Sequence, residues 1–281
     1  MYKKLFALIL TLSVFQCNLA FAGAINNKDK KMNREEICKE NYHKLFKGDA
    51  LTNTGDDPEM MAILQKYIFG EVFTIGELDM KTREMLTVVS LTTQQTLPQL
   101  KAHINAALNV GVNPLEVREA IYQCAPFIGF PKTLNALAVL NEVFKERGIK
   151  TPLPNAAQVK ENERFTKGSA IQKPLYGDEI KDALKGLPDN MGEEAARLLT
   201  EVCFGDFYAR SGLDTKTREL LVIGILTTTG DSRTLKSHIF GNVMAGNTEA
   251  QITAAIIQVM PYTGFPNALE ALRTVKDALA K

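Results

Sequence analysis

The sequence has no tryptophan, only three histidines, and no C-x-x-C among its four cysteines. Without tryptophan it lacks the largest aromatic platform for a sugar or a base. Its few histidines and cysteines stand at no metal-ligand spacing and form no dithiol motif, so neither a metal nor a redox cofactor is expected. An excess of one charge is also missing. The 33 Lys and Arg face 32 Asp and Glu, a net charge of +1. That balance offers no basic face to nucleic acid or to an anionic membrane, so neither is expected as a partner.

Long apolar runs are absent except at the start. Lys3 and Lys4 precede an apolar stretch from Leu5 to Phe15, and Ala20-Phe21-Ala22 supplies a small-x-small pattern before Gly23. This reads as a secretory leader cleaved after Ala22. The run is too short for a comfortable membrane anchor, and Phe15-Gln16 ahead of Cys17 does not suit a lipoprotein site. The expected product is secreted, or periplasmic in a Gram-negative cell, with no membrane attachment after cleavage. Cleavage would leave Cys38, Cys124 and Cys203, an odd number, so at least one stays free or pairs between chains. Cys124 and Cys203 sit in apolar helical stretches, where a buried, inert thiol is the expectation.

What is present is a repeat. Residues 69–137 align without a gap with 204–272 at a constant offset of 135, the mark of an internal duplication. A fainter echo precedes it: Glu40-Asn41 and Lys47-Gly48 in the first copy, Glu161-Asn162 and Lys167-Gly168 in the second. That pairing would give the second copy about fifteen extra residues ahead of the common block. The two copies are expected at 35–147 and 159–281, joined by the polar, proline-bearing stretch from Gly148 to Gln158. Apolar residues recur at three- and four-residue spacing, which predicts helices near 57–74, 80–95, 97–110, 114–127 and 131–146 and their counterparts. Asp79 and Asn113-Pro114 are expected to start helices. Gly111 is expected to end one, and Gly129-Phe130-Pro131 to break the chain. Asp214, Gly246 and Gly264-Phe265-Pro266 repeat this punctuation.

Polar residues shared by both copies are the candidates for chemistry. Asp79-x-Lys81-Thr82-Arg83-Glu84 matches Asp214-x-Lys216-Thr217-Arg218-Glu219, and His103 matches His238. Glu84 and Glu219 fall on apolar helix faces, where a carboxylate must be paired, protonated or set against a pocket. A helical hairpin would bring Glu84 to His103 and Glu219 to His238. Such a pair suits proton transfer, because imidazole titrates near neutrality and a carboxylate can orient it. The same pair can equally be a satisfied polar contact in a core. Small residues one turn from each histidine, Ala106 and Ala107 or Gly241 and Asn242, would leave room for a ligand. Arg83 and Arg218 are expected in salt bridges or against a neighbouring subunit. Glu119, replaced by Ala254 in the second copy, reads as a solvated helix surface. With Tyr122, however, it leaves the first copy more polar groups that could meet a substrate, and so makes that copy the favoured centre.

The motifs from Gly70 to Phe73, Leu78 to Glu84, His103 to Gly111 and Gly129 to Pro131, with their second-copy counterparts, resemble the carboxymuconolactone decarboxylase family, within the alkyl hydroperoxidase D-like superfamily. The resemblance implies an all-α fold of two tandem alkyl hydroperoxidase D-like helical domains. It also implies Glu84, His103, Glu219 and His238 as catalytic residues. One known activity of that superfamily is cofactor-free decarboxylation of an unsaturated lactone acid; isomerisation of such an acid or a keto acid needs the same groups. The other is peroxidase chemistry through a C-x-x-C. Here the matching positions hold Thr96 and Gln99, then Asp231 and Thr234. A lyase acting on a small molecule is therefore the first reading. A peroxiredoxin-like redox protein and a non-catalytic binding or assembly protein are the alternatives. Single-domain members form hexamers, so two fused copies imply a homotrimer that restores the same ring.

Overall fold

A computed structural model describes residues 33–280. The expected leader lies outside the described residues. All regular structure among them is helical, in agreement with the spacing of apolar residues. The first copy contains α1 (Arg34–Phe46), α2 (Pro58–Gln65), α3 (Met80–Gln94), α4 (Leu97–Asn109), α5 (Pro114–Ile128) and α6 (Phe130–Glu146). The second contains α7 (Arg164–Tyr176), a short α8 (Glu179–Ala183), α9 (Met191–Leu198), α10 (Thr215–Thr229), α11 (Ser232–Met244), α12 (Glu249–Thr263) and α13 (Phe265–Leu279).

The expected punctuation has direct causes. Asp79 accepts the Thr82 backbone N–H at 2.7 Å, and Asp214 accepts that of Thr217 at 2.8 Å, so each cap starts a central helix. Asn113 and Glu116 form a reciprocal capping box at the start of α5, as Thr248 and Gln251 do for α12. The segment expected as one helix over 57–74 is three pieces. α2 runs into a π-helical turn, Lys66–Glu71, and then a 3-10 turn, Val72–Thr74. The second copy has a longer π-helical segment, Leu199–Tyr208. π-Helical insertions are uncommon and concentrate at functional sites.

These wide turns reveal the true register of the upstream part. A Cβ on Gly70 would run into the Arg34 carbonyl, and one on Gly205 would run into that of Arg164. Arg34 pairs with Glu71, and Arg164 with Asp206. Arg34 and Arg164 are therefore equivalent, 130 apart, whereas the common block is offset by 135. The second copy thus carries five extra residues ahead of the block, not the fifteen suggested by the Glu-Asn and Lys-Gly echo. The echo is a chance match of common residues. Packing of a glycine against a helix start defines the register, and Phe46 becomes the counterpart of Tyr176.

α3 and α10 cross at the centre of a single core drawn from both copies. Residues 83–93 and 218–228 are buried without interruption, as expected for helices surrounded by others. Gly224 permits the close crossing: a Cβ there would meet Leu86 at 3.1 Å and Val89 at 3.5 Å. Ser90 and Thr228 share a hydrogen bond of 2.9 Å across the crossing.

The central arginines join the copies to each other. Among the described residues, Arg83 has no salt-bridge partner. It donates to the carbonyls of Val72, Ile75, Gly76 and Leu78, and to Gln258 of the second copy at 2.9 Å. Arg218 mirrors it by donating to Gln123 of the first copy at 3.0 Å, and adds an ion pair to Glu119 at 3.3 Å. Glu119 is not on a solvated surface but fully buried, held also by Arg118 at 3.1 Å and Arg210 at 2.9 Å. Tyr122 lies under the guanidinium groups of Arg118 and Arg210. These two residues serve the junction between copies, so they lend the first copy no advantage as a reaction centre.

Candidate functional site

Two helical hairpins build two sites. α3 and α4 bring His103 Nδ1 to 2.8 Å from Glu84 Oε2, and α10 and α11 bring His238 Nδ1 to 3.1 Å from Glu219 Oε2. All four side chains singled out in the sequence are therefore paired as anticipated, and all four are buried. Each site is completed by the other copy. Tyr262 of the second copy lies edge-on to His103 at 5.5 Å between ring centres, and Phe127 of the first lies against His238 at 5.4 Å.

The surroundings differ in a consistent way. In the first site Phe46 packs edge-on to His103 at 5.6 Å. Among the described residues, Glu84 Oε1 is buried with no hydrogen-bond partner. In the second site the counterpart of Phe46 is Tyr176. Its hydroxyl lies 2.6 Å from Glu219 Oε2 and 2.7 Å from His238 Nδ1. Tyr208, the counterpart of Phe73, donates to Glu219 Oε1 at 2.7 Å. Both oxygens of Glu219 are thus satisfied by phenols. Burial, reinforced by the Glu219 carboxylate, pushes both tyrosine hydroxyls well above their usual range, so both remain protonated donors at neutral pH.

The two short contacts of Tyr176 are tighter than the direct His238–Glu219 contact. The Tyr176 hydroxyl therefore bridges the Glu219 carboxylate and His238 Nδ1. Gly241 is what admits the phenol, since a Cβ there would collide with the Tyr176 ring. The space that Gly241 opens one turn from His238 is filled by Tyr176 and not left for a ligand. Asn242 does not face a ligand either; its amide donates to the carbonyls of Glu219 and His238.

Replacing Tyr176 with phenylalanine should make the second site resemble the first. The ring-nitrogen NMR shifts of His238 are expected to move toward those of His103, with His103 unchanged. Unaltered His238 shifts would show that the phenol is not coupled to the imidazole.

With Nδ1 engaged, Nε2 is the nitrogen of His238 left for a ligand. The ring forms part of the wall of a cavity of about 490 Å³, together with Phe127, Tyr176, Ile180, Leu184, Leu199, Cys203 and Phe204. Cys38, Cys124 and Cys203 are buried free thiols, and burial raises the pKa of each. A raised pKa disfavours the reactive thiolate. At the positions of the missing C-x-x-C, Asp231 caps α11 and accepts both the backbone N–H and the hydroxyl of Thr234. Among the described residues, no three His, Cys, Asp or Glu are grouped so as to hold a metal ion.

Sequence reasoning missed the tyrosines. Tyr208 was visible as an aromatic aligned with Phe73, whereas Tyr176 was hidden by the false upstream register.

Comparison with known proteins gives consistent results. The profile of the "Carboxymuconolactone decarboxylase family" matches residues 58–142 and again 193–277. A 4-carboxymuconolactone decarboxylase of Acinetobacter baylyi is 30% identical over 101 residues, 36% of this chain and 75% of that protein. A nitrosuccinic acid decarboxylase of Metarhizium robertsii is 31% identical over 124 residues, 42% of this chain and 85% of that protein. The fold is shared with a crystal structure assigned as a gamma-carboxymuconolactone decarboxylase subunit from Burkholderia xenovorans. That match has a TM-score of 0.51 and 20% identity, and covers 84% of this chain and 94% of that one.

Proposed function

This chain belongs to the carboxymuconolactone decarboxylase family, and from that membership we propose that it is an exported enzyme of cofactor-free acid–base chemistry. The reaction is decarboxylation or isomerisation of an unsaturated lactone or keto acid. The observation that carries this reading is His238, oriented through Nδ1 by Tyr176 and Glu219 while its ring borders a cavity. The proposed site of action is outside the cytoplasm after loss of the leader through Ala22, as a homotrimer.

The chemistry asks for one group that moves a proton. In isomerisation, Nε2 of His238 removes a proton from the carbon beside a carbonyl and returns it further along the conjugated chain. The transient positive charge on the ring is stabilised by Glu219 through the phenol. In decarboxylation the carboxylate leaves as CO2, the electron pair stays on the conjugated carbon skeleton, and His238 donates the proton that takes its place. Water then reprotonates the ring. Tyr208 holds the second oxygen of Glu219, so the carboxylate keeps its orientation through the cycle.

The test is a screen of the mature protein against unsaturated lactones and keto acids, with the His103→Gln/His238→Gln double variant as control, beside a dithiol-driven hydroperoxide assay. Turnover of an acid substrate that the double variant lacks is expected, with peroxide reduction at background. Robust peroxide turnover lost on replacing Cys124 or Cys203 would assign the protein to the thiol class instead. No turnover of any acid would favour a binding or assembly role.

A further inference from the structure

We propose that the cavity beside His238 binds a carboxylic acid with a mainly apolar body, its carboxylate held by Arg233; the proposal rests on the acid–base reading above and names its substrate class. At about 490 Å³ the cavity falls within the ordinary range of small-molecule sites, roughly 300–1,000 Å³. Its interior is apolar, formed by Ile180 and Leu184 on one side, Leu199 and Phe204 of the π-helical segment on another, and Phe127 of the first copy.

One side of the wall is particular to the second copy. Ile180 belongs to α8, and Leu184 comes directly after that helix. Both lie between α7 and α9, the stretch in which the second copy has its five extra residues. The corresponding part of the first copy, between α1 and α2, contains no helix. The insertion therefore adds apolar surface where the first copy has only a loop.

The rim is particular to this copy as well. Arg233, Thr234 and Ser237 line it from α11, where the first copy has Pro98, Gln99 and Ala102. Arg233 is exposed at the rim and, among the described residues, in ion-pair contact with no carboxylate, though its charge helps to lower the pKa of Asp231 two residues earlier. Glu179, the acid on the same rim, accepts the Ser237 hydroxyl at 2.8 Å. A carboxylate entering the cavity is repelled from the Glu179 side and drawn to Arg233, whose planar fork matches it with two parallel hydrogen bonds. Apolar walls then select for a hydrocarbon body behind the head group.

Geometry also separates the head group from the chemistry. Arg233 and His238 are five residues apart on one helix, about 7.5 Å along its axis. Both side chains line the same cavity, so a carboxylate on Arg233 leaves a carbon of the body, several bonds away, to face His238. The anchored acid group is a handle that stays: isomerisation acts on a carbon deeper in the cavity, and decarboxylation there removes a second carboxylate.

Unreactive ligands test this independently of turnover. Isothermal titration calorimetry of the full mature chain would compare octanoate with 1-octanol. Octanoate is expected to bind saturably and more tightly than octanol. Arg233→Ala should weaken octanoate by about tenfold or more, since a charge-assisted contact is lost, and leave octanol unchanged. Leu184→Asp, with its fold checked by circular dichroism, should weaken both. Octanoate binding that ignores Arg233→Ala would overturn the carboxylate assignment, and no saturable binding of either ligand would overturn the pocket. Because neither measurement needs catalysis, binding without turnover would count against the acid–base reading alone.

Discussion

Replacing Glu119 with alanine is expected to cost about 3–5 kcal/mol of folding stability, the usual loss when one partner of a buried ion pair is removed. The side chain is fully buried and is the shared counter-ion of Arg118, Arg210 and Arg218. Arg218 is itself fully buried. Burial pulls its pKa down, and the nearby Glu119 carboxylate is the main influence that holds it up. Without Glu119, three guanidinium groups would converge on an apolar methyl. Arg118 and Arg210 are partly exposed, but Arg218 cannot reach water without separating α5 from α10, at the junction of the two copies. Because the cluster is buried, added salt should restore little of the loss. Urea unfolding followed by circular dichroism measures the effect. A change below about 1 kcal/mol would place the cluster among ordinary surface pairs and remove its role as the lock between copies.

The second large effect concerns the histidines. His238→Gln is expected to lower the turnover number by about 10²–10⁴-fold, the span attributed to a positioned general acid or base, and His103→Gln to leave most activity in place. Glutamine keeps a hydrogen-bonding group of similar reach but cannot shuttle a proton near neutral pH. The ranking comes from the surroundings. His238 has a phenol relay, a fully satisfied carboxylate and a cavity wall. His103 sits under Phe46 and Tyr262, beside a carboxylate with one unpartnered oxygen. Sequence comparison alone favours the first copy, on the strength of Glu119 and Tyr122. Those residues belong to the interface, and the advantage passes to the second copy. Single variants of equal thermal stability, assayed on the substrate from the screen, decide the matter. Equal losses would mean two working centres, and a reversed ranking would return the centre to His103.

The sequence by itself determined the helical class, the duplication and the pairing partners of both histidines. These depend on local and periodic signals. Asp79 and Asp214 cap helices with their own neighbours, Gly111 and Gly246 take the same left-handed backbone with φ of 91°, and apolar spacing defines each face. Two helices joined by a tight turn have little choice but to pack side by side, so Glu84 meets His103 and Glu219 meets His238. Only the tertiary structure decided what surrounds those pairs. Arg83 reaches Gln258, Phe127 covers His238 and Glu119 gathers Arg210 and Arg218, all across the two copies and with no periodic trace in the chain. The register of α1 against α7 depends on where Gly70 and Gly205 touch a helix start, a contact that no alignment of short polar echoes could reveal. Tyr176 therefore reads as one more aromatic in sequence. It becomes a link between carboxylate and imidazole only when the end of α7 is packed against Gly241.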